Sequence, residues 1–246
     1  MGKRTVVITG GAKGIGYAAA QAFVSKGYNV AILDNNLALA QQAASQLDPG
    51  GTAVISCVCD VSNVESIRDA IKAVAEQFAG IDVVVTSAGI LTSTPIKELT
   101  PEEWNRVLSI DLGGVFFTIQ QALPYLEKSS VPRVINISSL AGRMGGYETG
   151  LAYSAAKGGV LSLTMGMARQ LAPQGITVNC VCPSTTESDM SRQFTPEARE
   201  HLIGRVPLGR FALPEEVASA VAYLASEEAG YITGLLMDVN GGTYMG

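Results

Sequence analysis

The sequence has little charge, a single histidine and no cluster of basic residues. Of its 246 residues only 16% are charged, and 17 basic against 22 acidic side chains leave a formal net charge of −5. Binding of nucleic acid needs a concentrated positive surface, so this composition argues against such a partner. The one histidine, His201, lies in a charged segment and is assigned no catalytic role.

Long apolar runs are also missing. The uncharged stretch at residues 112–126 contains two glutamines and a proline and is shorter than the roughly 20 residues of a membrane helix. The N-terminus enters an apolar strand pattern at once, and Val6 stands where a myristoylation signal needs serine or threonine. We therefore expect a cytoplasmic protein with no membrane role.

Cysteine is sparse and falls in two CVC pairs, Cys57/Cys59 and Cys180/Cys182. Alternate strand residues share a face, so each pair offers two thiols to a metal, although small thiols also line buried strands. We favour the buried-strand interpretation. We expect no metal site, and no disulfide in a reducing compartment.

Apolar residues are abundant, at 47% of the chain, and form short β-branched runs that alternate with helical patterns. The candidate strands are residues 5–9, 29–33, 53–59, 81–86, 133–137, 177–182 and 235–239. Such runs are typical of parallel strands buried on both faces. Residues 102–128 and 152–172 are the clearest helical patterns, and Pro101 and Pro214 stand where first helical turns begin. The alternation predicts one α/β domain over residues 1–246, a doubly wound parallel sheet with helices on both faces.

The first strand leads into a glycine-rich stretch, TGGAKGIG, at residues 9–16. A strand, a glycine turn and a helix start form an anion site, because free N–H groups and the helix dipole face the ligand. The spacing is G-x-x-x-G-x-G rather than G-x-G-x-x-G, so alone it is also compatible with a plain turn. We predict a dinucleotide pyrophosphate site formed by Gly10, Gly11, Ala12, Lys13, Gly14, Ile15 and Gly16.

Asp34 strengthens the prediction of a dinucleotide. It follows the second strand, about twenty residues on, where an acid accepts hydrogen bonds from the adenosine ribose. A carboxylate there repels a 2′-phosphate and favours NAD, whereas Lys13 in the loop favours NADP. We rank the carboxylate higher because its position meets the ribose directly, and we predict NAD. The plain alternative is that Asp34 caps a helix.

The sequence YSAAK places Tyr153 and Lys157 on one helix face. A phenol titrates near about 10, and a neighbouring ammonium favours the phenolate, which can then exchange a proton with an alcohol or a carbonyl. Such a pair alone is common. It gains weight from Ser138 and Ser139 at the end of the fifth strand, the edge where such sheets bind ligands. We interpret Ser138 as a helix cap and Ser139 as the hydroxyl that holds the substrate oxygen.

Together these motifs resemble the single-domain short-chain dehydrogenase/reductase family over essentially the whole chain. The matching pieces are residues 9–16, Cys59-Asp60-Val61, Ala88-Gly89, Ser139, residues 153–157, Val178-Asn179, RFALPEEVA at 210–218 and YITG at 231–234. The 3-oxoacyl-carrier-protein reductases are closest in appearance, since their C-terminal NGG-x-Y-M pattern resembles NGGTYM at residues 240–245.

The resemblance implies hydride transfer at a nicotinamide, with Ser139, Tyr153 and Lys157 as the reacting triad. It also implies a strand order of 3-2-1-4-5-6-7, with the two CVC strands far apart, and a homotetramer. Lys157 would hold the nicotinamide ribose. The other residues implied to line the dinucleotide are Asp60 and Val61 at the adenine, then Ser87, Ala88, Gly89, Pro183, Thr186 and Ser188.

Three positions depart from the family pattern. The usual Asn-Asn-Ala-Gly is Thr86-Ser87-Ala88-Gly89, the usual Pro-Gly is Pro183-Ser184, and the family's catalytic asparagine is Asp111. We count Asp111 among the catalytic residues. A carboxylate near Lys157 favours the ammonium and opposes the phenolate, so we expect optimal oxidation at higher pH.

Two segments are candidates for contact with substrate. Between Ser139 and Tyr153 the chain has one residue more than is usual in the family, and we expect this loop to present Arg143, Met144 and Tyr147. Residues 191–206 lack a strong period and suit a lid, with Met190 and Phe194 covering an apolar substrate.

We therefore predict an NAD(H)-dependent oxidoreductase that interconverts a small secondary alcohol and a ketone. The alternatives are a 3-oxoacyl-carrier-protein reductase using NADPH and a dinucleotide-binding scaffold without catalysis. Carrier proteins are acidic and need basic docking residues. The available cations, Lys128, Arg133, Arg169 and Arg210, are scattered along the sequence.

Overall fold

The computed structural model describes residues 2–146, 149–188 and 191–246. Its strands form one parallel sheet in the order β3-β2-β1-β4-β5-β6-β7, which confirms the expected order. The strands are β1 Thr5–Thr9, β2 Asn29–Asp34, β3 Val54–Val58, β4 Val83–Thr86, β5 Arg133–Ile137, β6 Thr177–Pro183 and β7 Leu236–Val239.

All seven predicted strands are present, and the differences lie at their ends. The third strand was predicted to begin at Ala53, but the Ala53 amide donates to the Asp48 carboxylate at 2.6 Å, in the turn before β3. The fourth was predicted to begin at Ile81, whereas β4 begins at Val83, after Asp82 has accepted a hydrogen bond from the Thr5 amide. The starting residues of β3 and β4 are therefore determined by hydrogen bonds to the side chains of Asp48 and Asp82 in the preceding turns.

Helices cover both faces of the sheet. They are α1 Gly14–Ser25, α2 Leu37–Leu47, α3 Val64–Phe78, α4 Pro101–Leu108, α5 Gly114–Leu126, α6 Leu140–Met144, α7 Leu151–Leu171, α8 Pro196–Ile203 and α9 Pro214–Leu224. Pro101 and Pro214 occupy first-turn positions as predicted, because a missing N–H is harmless there.

Alternate strand residues fill two separate cores, as period-two geometry requires. Val7 and its neighbours on one face pack with α3, α5 and α7, while Val6 and Ile8 on the other face pack with α1, α2 and α9. The sheet is therefore buried on both faces, and its ligand-accessible backbone is confined to the strand ends.

A π-helical turn, Ser109–Gly113, joins α4 to α5. The run Pro101–Leu126 is long and apolar enough to meet a length-and-composition criterion for a membrane span, with a mean hydropathy of 1.2. Its apolar face packs in the protein, where Val115 and Ile119 are buried. Core helices of globular proteins meet the same criterion.

Candidate active site at the carboxyl edge of the sheet

The predicted cofactor and catalytic residues gather at one edge of the sheet. Gly10, Asp34, Ser87 and Ser139 stand at or just after the carboxyl ends of β1, β2, β4 and β5. Parallel order brings these ends together, and open α/β sheets bind ligands at this edge.

The glycine loop is held to β2 and to α1 by its own backbone. The Gly10 amide donates to Leu33 O at 2.8 Å, and the Ala12 amide donates to the Asp34 carboxylate at 3.4 Å. A β-carbon added at Gly16 would lie 2.2 Å from Gly10 O, so α1 packs directly on the loop.

The outward side of the same loop is open. Gly14 has φ +57°, and a β-carbon added there would meet no atom within 4 Å. A loop with a bare outer backbone before a twelve-residue helix fits a dinucleotide pyrophosphate. Ile15 is half-buried and packs inward with the core of α1 and α2.

Asp34 does not cap a helix. Asn36 caps α2 by accepting a hydrogen bond from the Leu39 amide, while Asp34 accepts from the Asn36 amide at 3.0 Å. Asp34 is half-buried and joins β2 to the glycine loop. Lys13 is exposed in the position before α1, without a side-chain cap bond.

Thr9 is a functional position that sequence reasoning missed. Its hydroxyl oxygen accepts from the amides of Ser87 at 3.2 Å and Ala88 at 3.3 Å, and so ties the loop after β4 to the end of β1. The signal was a threonine directly after the apolar run Val6-Val7-Ile8. On the predicted adenine side, Asp60 accepts from the Ser62 hydroxyl at 2.7 Å, and Val61 is buried against Gly114.

Tyr153 and Lys157 occupy one face of α7, close to the end of β5. Lys157 is buried, its ammonium donates to Ile137 O at 3.2 Å, and its Nζ lies 5.7 Å from the centre of the Tyr153 ring. Tyr153 is half-buried, so its ring stays accessible from the edge of the sheet.

Of the two serines after β5, Ser139 rather than Ser138 caps a helix. Ser139, half-buried, caps α6 by accepting from the Ala141 amide at 3.1 Å. Ser138 instead donates to Lys157 O at 2.8 Å and fastens α7 to β5. The interpretation of Ser138 as a helix cap is therefore wrong, because its side chain is turned toward α7.

Asp111 lies on the π-helical turn and is fully buried. One carboxylate oxygen, Oδ1, accepts from the Ile90 amide at 2.9 Å, and the other, Oδ2, lies 3.6 Å from Lys157 Nζ. Within the described part of the chain Oδ2 accepts no hydrogen bond. Burial raises the pKa of Asp111, and the nearby Lys157 ammonium and the Ile90 amide oppose that rise.

The segment after β6 is organised by local bonds. Pro183 ends β6, the Thr186 hydroxyl donates to Ser184 O at 3.1 Å, and the Ser188 amide donates to the Ser191 hydroxyl at 2.8 Å. Glu187 in this segment pairs with Arg199 on α8. The predicted lid is thus a short 3₁₀ turn and α8, and the Glu187–Arg199 ion pair ties it to the segment predicted to hold the cofactor.

Arg143 does not reach a substrate opening, which corrects that prediction. Its guanidinium forms a two-pronged pair with Asp238 on β7, at 3.1 and 3.0 Å, and also donates to Leu236 O. A carboxylate at the end of a distant strand thus draws the arginine away from the loop. Met144 remains partly exposed.

The other side chains expected near substrate have mixed outcomes. Phe194 is half-buried, whereas Tyr147 and Met190 lie outside the described residues. His201 is exposed on α8 and contacts Arg205 at 2.8 Å. Cys57 lies on β3 and Cys59 directly after it, while Cys180 and Cys182 lie on β6, five positions away in the sheet, so the four thiols cannot share one metal.

Known proteins resemble this chain over nearly its full length. A family model described as enoyl-(acyl carrier protein) reductase matches residues 10–244. The 3-oxoacyl-(acyl-carrier-protein) reductase of Vibrio cholerae is 37% identical over 243 residues, and that of Staphylococcus aureus is 36% identical over 244, each alignment covering 98% of both chains.

Solved structures of other proteins superpose on this protein over nearly the whole chain. A structure from Brucella melitensis, named short-chain dehydrogenase/reductase and glucose/ribitol dehydrogenase, superposes with a TM-score of 0.93 at 33% identity, covering 100% of this chain and 98% of that one. The structure of gox2181 gives a TM-score of 0.94 at 33% identity, covering 99% and 96%.

Proposed function

The chain belongs to the short-chain dehydrogenase/reductase family of oxidoreductases, which act on CH–OH groups with a nicotinamide dinucleotide. On that premise we propose that it interconverts a secondary alcohol and a ketone with NAD(H), and that Tyr153 is the acid/base. The observation that carries the proposal is the position of the Lys157 ammonium, buried 5.7 Å from the ring centre of Tyr153 at the carboxyl edge of the sheet.

Each of the three reacting side chains has one task in this proposal. The Tyr153 hydroxyl takes the proton of the alcohol or returns it to the carbonyl oxygen. The Lys157 ammonium, fixed by Ile137 O, supplies positive charge that favours the phenolate. The Ser139 oxygen accepts from Ala141, which leaves its hydroxyl hydrogen to donate to the substrate oxygen. A bound nicotinamide ring supplies the hydride acceptor or donor.

Asp34 supports NAD rather than NADP. Its carboxylate stands at the end of β2 and is tied to the glycine loop through the Ala12 amide, so a 2′-phosphate would meet a fixed negative charge. Lys13 is the competing cation. Lys13 is exposed on the surface, and a flexible surface ammonium compensates the half-buried Asp34 carboxylate poorly.

The relatives' names support a 3-oxoacyl thioester and its 3-hydroxy product as the first substrate pair to examine. They favour this class over a small free alcohol more directly than any residue does. Docking of a carrier protein is a separate question. Of the four cations considered for docking, Arg133 is buried against backbone carbonyls and Arg210 pairs with Glu216. Lys128 and Arg169 are therefore the two candidates for contact with an acidic carrier protein. A small secondary alcohol is the second candidate, supported by the net charge of −5 and by the name of the Brucella protein.

A grid of two substrates and two cofactors tests the proposal. We expect turnover of a 3-oxoacyl thioester with NADH, measured as loss of absorbance at 340 nm, to exceed turnover with NADPH. A panel of secondary alcohols with NAD and NADP covers the second candidate. Higher activity with NADPH contradicts the assignment to Asp34, and Asp34→Ser should narrow the preference for NADH.

Two variants then separate an enzyme from a scaffold. Tyr153→Phe should abolish turnover and keep dinucleotide binding, while Tyr223→Phe, on the partly exposed face of α9, should leave both unchanged. Dinucleotide binding without turnover of any compound favours a non-catalytic scaffold. We also propose a cytoplasmic, single-domain protein that forms a homotetramer. Light scattering would then give about 102 kDa, four times the 25.6 kDa of one chain.

A further inference from the structure

Asp111 and Lys157 form a buried pair of opposite charges beneath the loop after β4. Their side chains are 0% and 5% exposed, and Oδ2 lies 3.6 Å from Nζ. A methyl group on Gly89 would come within 3.1 Å of Oδ2 and 3.3 Å of Nζ. Both charges therefore lie directly under a backbone position that is predicted to line the dinucleotide.

The pair carries no net charge when the carboxylate is ionised. Burial raises the pKa of Asp111, while the Lys157 ammonium and the Ile90 amide favour its ionised form. The other ionisable groups near Lys157, among the residues described, are Tyr153 on α7 and Cys180 on β6. Burial raises the pKa of Cys180, which therefore stays a neutral thiol and adds no charge.

The carboxylate is only partly satisfied. Oδ1 has a backbone donor, but Oδ2 is buried and accepts no hydrogen bond within the described residues. A buried carboxylate oxygen without a donor is unfavourable, and additional positive charge nearby relieves it. The positive charge that faces this oxygen is Lys157 Nζ, 3.6 Å away.

We propose that Asp111 strengthens the binding of the oxidised nicotinamide dinucleotide relative to the reduced one, because its carboxylate cancels the charge of Lys157. The inference rests on the proposed function and adds to it a preference between two forms of one cofactor. The oxidised ring carries a positive charge and the reduced ring carries none. With Asp111 ionised the ring meets a neutral pair, whereas an uncharged residue at 111 would leave Lys157 alone to repel it. A ligand preference arises only from such differential interaction.

The preference has a consequence for direction. Compared with a site that has an uncharged residue at 111, the free enzyme binds the oxidised cofactor more tightly and the reduced one equally well, and these are the starting and product forms of alcohol oxidation. Even over about 10 Å, at an effective dielectric constant of about 20, one unit charge changes a binding constant by roughly tenfold or more. The effect is therefore large enough to measure by titration without any turnover.

The test measures dissociation constants for three ligands by isothermal titration calorimetry: the oxidised dinucleotide, the reduced dinucleotide and ADP-ribose. The titrations use NAD and NADH, or NADP and NADPH if those bind more tightly. The third ligand is then ADP-ribose or its 2′-phosphate, respectively. In Asp111→Asn we expect the dissociation constant of the oxidised form to rise about tenfold. The constants for the reduced form and for ADP-ribose should stay within about twofold, because neither carries the ring charge.

Two further variants make the result specific. Asp111→Ser removes the charge with a smaller side chain and should give the same change, and ADP-ribose binding shows in each variant that the site is folded. Asp69→Asn removes one exposed carboxylate from α3, so it is matched in net charge and should leave all three constants unchanged.

Equal weakening of the oxidised and reduced forms in Asp111→Asn and Asp111→Ser, or no weakening of either, overturns the inference and leaves the proposed function standing. A wild-type protein that binds none of the three ligands overturns the proposed function as well, so the two failures are distinguishable.

Discussion

Two glycines of the same loop should respond very differently to alanine. At Gly16 a β-carbon would lie 2.2 Å from Gly10 O and 3.0 Å from Gly11 Cα, which are backbone atoms that cannot turn aside. Helix α1 must then move off the loop. Forced contacts of this kind are destabilising by about 3 kcal/mol at the upper end of the usual range. For a chain of this size that corresponds to a fall in Tm of roughly 6–12 °C.

At Gly14 the new methyl meets nothing. The φ of +57° destabilises an L-residue by about 1 kcal/mol, or roughly 2–4 °C in Tm. The methyl nevertheless stands on the open side of the loop, where the pyrophosphate would lie against bare backbone. We expect dinucleotide affinity to fall at least about tenfold, equivalent to about 1.4 kcal/mol.

The assay is thermal unfolding by circular dichroism at fixed protein concentration, paired with calorimetric titration of the dinucleotide. Gly166→Ala on α7 is the control. No atom lies within 4 Å of its β-carbon, and alanine in a helix should raise stability by about 0.5–1 kcal/mol without changing affinity. A Gly14→Ala protein as unstable as Gly16→Ala, or one that binds dinucleotide like the wild type, refutes the assignment of the two sides of the loop.

The remaining predictions concern charges and thiols. Arg143→Gln and Asp238→Asn should show a coupling of about 1–2 kcal/mol in a double-mutant cycle of unfolding free energies, because both side chains are mostly buried and paired in two places; additive effects would contradict the pairing. Hydrogen bonds from Arg210 and the Leu213 amide lower the pKa of Glu216 to about 2, so the stability difference between wild type and Glu216→Gln should be fully present above about pH 4.5. It should then disappear as the pH falls through about 2, which thermal unfolding at several pH values will measure, and a constant difference down to pH 2 would contradict the pairing with Arg210. Burial raises the pKa of Cys59 to about 12, so iodoacetamide at pH 8 should label it far more slowly than free cysteine; mass spectrometry of the labelled protein reads the result, and rapid labelling would show that Cys59 is not buried. Asp111→Asn should move the acid limb of the pH–rate profile for oxidation to lower pH, since a negative charge beside Lys157 is lost, and an unchanged profile contradicts this role.

Local patterns were sufficient for the layout of the fold. Apolar β-branched runs predicted each strand that the structure describes. A parallel strand buried on both faces is apolar along its whole length, so it stands out in the sequence as a continuous hydrophobic run. Strand ends were less predictable. The start of β3 depends on Asp48, which accepts hydrogen bonds from four amides of the turn before and at the strand.

The position of a candidate-site residue was predictable where the residue stands at the end of its own strand or helix, as with Asp34, Ser139, Tyr153 and Lys157. It was not predictable where the partner is remote in sequence. Arg143 pairs with Asp238, 95 positions away, and Ser138 bonds to Lys157 across two elements. The local sequence pattern does not show which of the two adjacent serines points inward, because this depends on α7, which packs against them.

The π-helical turn between α4 and α5 determines which side chains of the two helices face the core. Val107, Asp111, Val115 and Ile119 are all buried at steps of four, whereas an α-helix repeats every 3.6 residues. Four-residue steps would rotate the buried stripe by about 40° each, and the wider turn at Ser109–Gly113 absorbs most of that rotation. The carboxylate of Asp111 thereby reaches Lys157 while the helices on either side keep their own contacts. Deleting a single residue from this turn would swing Asp111 out of reach with every catalytic side chain still present in the sequence.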